Sequence, residues 1–155
     1  MPRMTAFEKR PAPDEPNKSI GFIINDVARL LRRNFDRRAH VLGLTRAQWT
    51  VLAHLRRKDG LRQTELADLL EVQPITLARL IDRMEADSWV KRKNDPTDRR
   101  AKQVFLTKKV LPVLKGMRAI GKTVMDESLA GIADNEQEQL RGMLLAMRDN
   151  LSARK

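Results

Sequence analysis

Two short amphipathic segments separated by three residues constrain this chain more than any other feature. Leu66, Ala67 and Leu70 place an apolar stripe on a helix over about 63–70. Leu77, Leu80, Ile81 and Met84 do the same for a helix from Pro74 to about Asp87. Pro74 suits the first position of that second helix, where a missing N–H is tolerated. The break Glu71-Val72-Gln73 leaves room only for a tight turn. Two short helices joined in this way have the geometry of a helix-turn-helix.

Upstream, Ile20, Ile23, Ile24, Val27, Leu31 and Phe35 recur at helical spacing, with Ser19 as the N-cap of a helix reaching about Ala39. Gly43 and Leu44 end it. Thr45 and Gln48 form a capping box, and Trp49, Leu52 and Leu55 mark a helix to about Lys58. Asp59-Gly60 reads as a turn. Downstream, residues 89–93 and 101–106 read as two strands around the charged loop 94–100, a β-hairpin with a long tip. Thr107 then caps a helix to about Leu129, with Pro112 in its first turns as a possible kink. Gly131 interrupts the chain, and Asp134 with Gln137 opens a last helix. That helix carries Leu140, Met143, Leu144, Met147 and Leu151 on one stripe. An apolar stripe on a terminal helix needs a cover. A second copy of the chain is the simplest one, and packing on its own chain is the alternative. The fold class is therefore mainly α with a small β-hairpin. It comprises a winged helix-turn-helix and a helical dimerisation region built from the N- and C-terminal helices.

Charge narrows the partner. The formal net charge is +11, and residues 46–109 hold fifteen basic against nine acidic side chains, whereas 110–155 hold seven against six. The middle of the chain is thus the expected binding surface for a polyanion, either nucleic acid or an anionic membrane face. Aromatic residues make up 4% with no tyrosine, which argues against base stacking on single-stranded RNA. The absence of cysteine removes disulfides and thiolate zinc sites. His40 and His54 form no metal set. No glycine-rich phosphate loop and no nucleophile with a base is present, so neither an enzyme nor a cofactor is expected. No apolar run reaches membrane-spanning length and no signal-type segment opens the chain, so the expected compartment is the cytoplasm. Residues 1–17, with four prolines among charges, read as a disordered arm.

Four stretches give this order of elements a family likeness. They are Leu42-Gly43-Leu44-Thr45-Arg46-Ala47-Gln48-Trp49, then Gln63-Thr64-Glu65-Leu66-Ala67, then residues 76–85 (TLARLIDRME), and Asp98-Arg99-Arg100-Ala101 leading to Leu106-Thr107. Together they resemble the MarR family of transcription regulators, its SlyA-like branch most closely, over residues 20–150. The resemblance implies a homodimer that reads a palindromic operator in double-stranded DNA, acting as a repressor. Its division of the chain is a dimerisation helix at 18–44, a winged helix-turn-helix at 45–107 and dimerisation helices at 108–155.

The resemblance also implies roles for particular residues. Thr76 and Arg79, three apart and so on one helix face, would contact bases in the major groove; Arg can pair bidentately with guanine, and Thr can meet a base edge or a thymine methyl. Gln73, at the cap, would donate to a phosphate or a base. Arg83 is either a phosphate contact or solvated. Asp98 and Arg100 would pair in the wing, with Arg100 entering the minor groove; without the likeness, the same two residues read as a surface ion pair in a turn. Arg92, Lys93, Arg99 and Lys102 would meet phosphates, which gives affinity rather than sequence choice. Family members sense small aromatic or lipophilic anions in a crevice. Here Trp49, Arg79 and the apolar faces of the first, second and fifth helices would form its walls, although core packing alone also accounts for Trp49. Ala53 stands where some relatives place a crevice His. Two further positions depart from the family pattern. Glu71 replaces a frequent Gly in the turn, at a strain cost if it is left-handed, and Arg62 replaces a Ser or Thr cap.

Overall fold

A computed structural model describes residues 19–153; the arm read at 1–17 lies outside them. Helix α1 (Ile20–Ala39) begins at Ser19, whose Oγ accepts the Phe22 N–H at 3.3 Å. Helix α2 (Arg46–Arg57) opens on a reciprocal capping box: Thr45 Oγ1 accepts the Gln48 N–H at 3.2 Å, and Gln48 Oε1 accepts the Thr45 N–H at 3.0 Å. Helices α3 (Gln63–Leu70) and α4 (Pro74–Ala86) follow, with Pro74 in the first turn of α4.

The turn between α3 and α4 is bought with backbone strain. Glu71 is left-handed, φ 54° and ψ 41°, and its N–H together with that of Val72 reaches back to the last carbonyls of α3. This satisfies acceptors that a helix end leaves open, but a side chain in this region costs roughly 1–2 kcal/mol. Arg62 precedes α3 without a side-chain cap of its own. Instead Glu65 Oε2 accepts the Arg62 N–H at 2.7 Å.

The sheet has three strands rather than the two of the expected hairpin. Strands β1 (Leu61–Arg62), β2 (Val90–Asn94) and β3 (Lys102–Leu106) are antiparallel in the order β1-β3-β2, with Leu61 opposite Val104 and Arg92 opposite the same residue on the other side. Gly60 admits β1 to this edge. It has φ +77°, and a Cβ there would lie 2.7 Å from the Phe105 ring.

Helix α5 (Leu111–Ser128) follows a 3-10 turn at Lys108–Val110. Thr107 does not cap it. Its hydroxyl donates to the carbonyls of Ser88 and Trp89 and so ties the end of β3 to the end of α4. Pro112 falls in the first turn of α5, where no intrahelical bond is lost. Helix α6 (Asp134–Ser152) has Ala133 as its N-cap, so Asp134 is the first helical residue rather than the cap.

One core joins α2, α3, α4, the sheet and the start of α5, with Leu52, Leu55, Leu66, Leu77, Ile81, Met84 and Val104 fully buried. Helix α6 stands apart: it buries no residue, and its stripe is open, from 37% exposed at Leu140 to 75% at Leu151. Ile20, Ile23, Ile24 and Val27 of α1 are open likewise. Packing on its own chain therefore does not account for the terminal stripe.

Relieving the left-handed side chain at position 71 should stabilise the protein. Glu71→Gly is expected to gain about 1 kcal/mol, read as a higher urea midpoint at fixed protein concentration. Glu71→Ala keeps a Cβ in the same conformation and should gain nothing.

Candidate nucleic-acid interface

Helix α4 buries Leu77, Leu80, Ile81 and Met84, and so turns its opposite face to solvent. On that face Thr76, Arg79, Asp82 and Arg83 line one shallow groove. Gln73 is the N-cap and is exposed; its side chain makes no capping bond. The first turn holds no acidic residue. Its open backbone N–H groups and the helix dipole therefore favour an anion there. Asp82 is engaged from behind, 2.7 Å from Arg92.

Arg92 itself differs from the other basic residues of this surface. Its side chain is 19% exposed and is held on several sides. The guanidinium contacts Asp82, and Glu85 at 3.3 Å; it also donates to Gln63 Oε1 at 2.8 Å and to the Ala78 carbonyl at 3.0 Å. Its backbone N–H donates to Glu85 Oε2 at 2.8 Å. An arginine so occupied fastens β2 to α4, and the phosphate contact expected of it would compete with these partners.

The wing, residues 94–101, is built around Asp95, the one buried charged residue among those described, at 5% exposure. Asp95 Oδ1 accepts the Thr97 hydroxyl at 2.7 Å, the Thr97 N–H at 2.8 Å and the Asp98 N–H at 3.2 Å. Its Oδ2 takes the Arg62 Nε–H at 2.7 Å, and Arg62 Nη2 reaches Thr97 Oγ1 at 3.3 Å. The Thr97 hydroxyl and N–H, then Arg62, hold the Asp95 carboxyl down at a pKa of about 2. Arg62 thus joins the start of α3 to the wing, a role that its position before a helix does not reveal. Asp98 Oδ1 accepts the Arg100 backbone N–H at 3.0 Å. The expected Asp98–Arg100 link is therefore made through the main chain, and the Arg100 guanidinium is left outside it.

The remaining cations point outward. Among the described residues, Arg79, Arg83, Lys93, Arg99, Arg100 and Lys102 are all exposed and none makes an ion pair. Lys93 Nζ lies 5.1 Å from the centre of the Phe105 ring, and Lys102 Nζ meets Asn94 Oδ1.

A separate cleft of about 440 Å³ opens between α1, α2 and α5. Trp49 packs against Phe35 with ring centres 4.6 Å apart and planes inclined at 52°, and its Nε1–H donates to Asp36 at 2.7 Å. Ala53, Met117 and Met125 continue the apolar wall, and Arg56, Arg57, Arg118 and Lys122 stand around it. The first, second and fifth helices do supply its faces. Arg79 does not: it belongs to the α4 groove, so Trp49 and Arg79 do not share a site. The four cleft cations went unremarked in the sequence. Their only signal there is spacing, Arg118 and Lys122 falling four apart on α5, which is indistinguishable from a solvated helix face.

A helix-turn-helix followed by an antiparallel wing, with unpaired cations on both, defines a winged-helix DNA-binding protein. Comparison with known proteins gives the family. The MarR family profile matches residues 44–102. The crystal structure of the transcriptional regulator PA3341 is 38% identical over 88% of this chain and all of that one, with a TM-score of 0.76. A MarR transcriptional regulator from Methanosarcina mazei Go1 is 27% identical over 84% of this chain and 94% of its own, TM-score 0.74. A MarR-family regulator from Silicibacter pomeroyi is 28% identical over 84% and 88%, TM-score 0.73. The chain belongs to the MarR family of transcription regulators, DNA-binding proteins rather than enzymes. No helix among the described residues is long and apolar enough to cross a membrane.

The Asp95 cluster has a pH signature. A carboxyl held at about 2 stabilises the folded state above its ordinary value, near 3.8, and loses that contribution as pH falls towards 2. The difference in urea midpoint between the protein and Asp95→Asn should therefore be constant above about pH 5 and shrink below pH 4. A difference that stays level down to pH 2 would mean that Asp95 is not held by these donors.

Proposed function

We propose that this chain is a sequence-specific regulator that binds double-stranded DNA as a homodimer, with α4 in the major groove and the wing in the minor groove of each half of a palindromic operator. The observation that carries this reading is the sorting of its basic residues. Arg62 and Arg92 are engaged in ion pairs within the chain, whereas Arg79 and Arg83 on α4 and Arg99 and Arg100 at the wing tip stand unpaired among the described residues. Thr76 and Arg79 read base edges, with Gln73 and Arg83 alongside them on base or phosphate. Arg100 enters the minor groove, steadied by Asp98 through its backbone. Lys93, Arg99 and Lys102 meet phosphates. Arg92 acts by holding α4 in place.

Residues 45–107 form the DNA-binding region in this reading, and 18–44 with 108–155 the dimerisation region. The bare stripes of α1 and α6 support that division, and members of the family act as dimers. We place the chain in the SlyA-like branch on its reading-helix residues, assign it the part of a repressor, and expect it to work in the cytoplasm. The cleft beside Trp49 takes a small aromatic or lipophilic anion, supported by an aromatic floor ringed with four cations. Occupancy there releases the DNA.

Binding to an operator selected from a random duplex pool tests the reading. Arg79→Ala is expected to weaken the selected site by about 1–3 kcal/mol and to relax preference at one base pair per half-site. Arg100→Ala should lose more on A·T-rich than on G·C-rich flanks, because the narrow groove concentrates negative potential. The logarithm of the binding constant should fall against the logarithm of salt with a slope of about −5 or steeper. Equal affinity for selected and scrambled duplex would overturn the proposal.

The effector arm has its own measurement. An aromatic carboxylate titrated into the protein should quench tryptophan fluorescence, and the quench should be lost with Trp49→Phe. No saturable quench with a panel of such anions would sink it.

A further inference from the structure

Ile75 is 60% exposed in the first turn of α4. It belongs neither to the core nor to the apolar residues packed against it, whereas the other large apolar side chains of that helix, Leu77, Leu80, Ile81 and Met84, are buried on the opposite face. A single exposed apolar residue is ordinary on a protein surface. Its position here is not. Ile75 lies one residue before Thr76 and four before Arg79, so Ile75 and Arg79 share a face one turn apart. No other large apolar side chain of α4 is exposed. A β-branched residue is also a poor choice for the open first turn of a helix, where small polar or acidic side chains are favoured.

In the major groove, thymine differs from the other bases in carrying a C5-methyl group, which only an apolar contact can recognise. An isoleucine has no hydrogen-bonding atoms and so reads nothing else there. We infer that Ile75 is a specificity-determining residue that contacts the methyl group of one thymine in each half-site. One helical turn is about 5.4 Å and a base step about 3.4 Å. The thymine therefore lies within about two base pairs of the base met by Arg79. This inference rests on the DNA-reading function proposed above. It adds a base identity that the charges and hydrogen-bonding groups of α4 do not supply.

Deoxyuridine in place of thymidine removes that methyl and nothing else. The test is fluorescence anisotropy on the selected operator, each thymine of the half-site being replaced in turn, with the full-length protein and with Ile75→Ala and Ile75→Ser. The protein is expected to lose about three- to fourfold in affinity per half-site at one thymine position, hence about tenfold when both halves are replaced. Ile75→Ala and Ile75→Ser should bind the thymidine duplex as the unaltered protein binds the deoxyuridine duplex, and should be indifferent to the replacement. Both variants change a solvent-facing side chain, and circular dichroism confirms that they fold. If the protein does not distinguish the selected duplex at all, the DNA-reading proposal falls. If it does, but every deoxyuridine replacement is neutral, or Ile75→Ala still loses affinity on replacement, the role of Ile75 falls alone.

Discussion

The orientation of the reading helix is settled by the guanidinium of Arg92. Burial of Leu77, Ile81 and Met84 supplies most of the energy that holds α4 on the core, roughly 1.5–3 kcal/mol for each side chain. Burial is indifferent to small rotations about the helix axis, however, and base reading is not. Arg92 removes that freedom. Its carboxylate partners, Asp82 and Glu85, are 64% and 41% exposed, so each pair is a surface pair of about 0–1 kcal/mol. The neutral acceptors matter more for direction: Gln63 lies on α3 and the Ala78 carbonyl on α4. One planar group therefore registers a strand and both helices of the helix-turn-helix against one another, which fixes the angle at which Thr76 and Arg79 leave the surface.

Arg62 and Asp95 do the same for the wing. Asp95 is enclosed by Thr97, the Asp98 N–H and Arg62, and Arg62 stands immediately before α3. The wing is thereby fastened to the start of α3, the helix that precedes α4. A loop tip would otherwise pay conformational entropy on meeting DNA; a tip already ordered by its own carboxylate has paid most of it on folding.

What could be read from the sequence follows from distance along the chain. The Ser19 cap, the Thr45–Gln48 box and Pro74 in a first turn are all decided within a few residues, and the pattern reveals them; that Glu71 is left-handed shows only in the backbone. Strand β1 is two residues long and carries no periodicity, so only its partner β3 defines it. Thr107 has the right residue type for a helix cap, yet the carbonyls of Ser88 and Trp89, brought close by the sheet, claim its hydroxyl. The Arg62–Asp95 pair spans 33 positions and Arg92–Gln63 spans 29, and no local rule distinguishes such arginines from those free to meet a phosphate. Residue type located the α4 face and the cleft around Trp49. Only folding shows that Arg79 serves the first and has no part in the second.

The bare stripe of α6 carries a genetic consequence. Assembly through the terminal helices, as proposed above, would not inspect the DNA-binding heads, so a subunit with a ruined α4 would pair as readily as an intact one. With equal expression of both alleles, about one quarter of dimers would carry two good heads. Missense alleles in α4 should therefore be dominant-negative, whereas alleles truncated before Asp134 should be recessive, since their products cannot enter the pool.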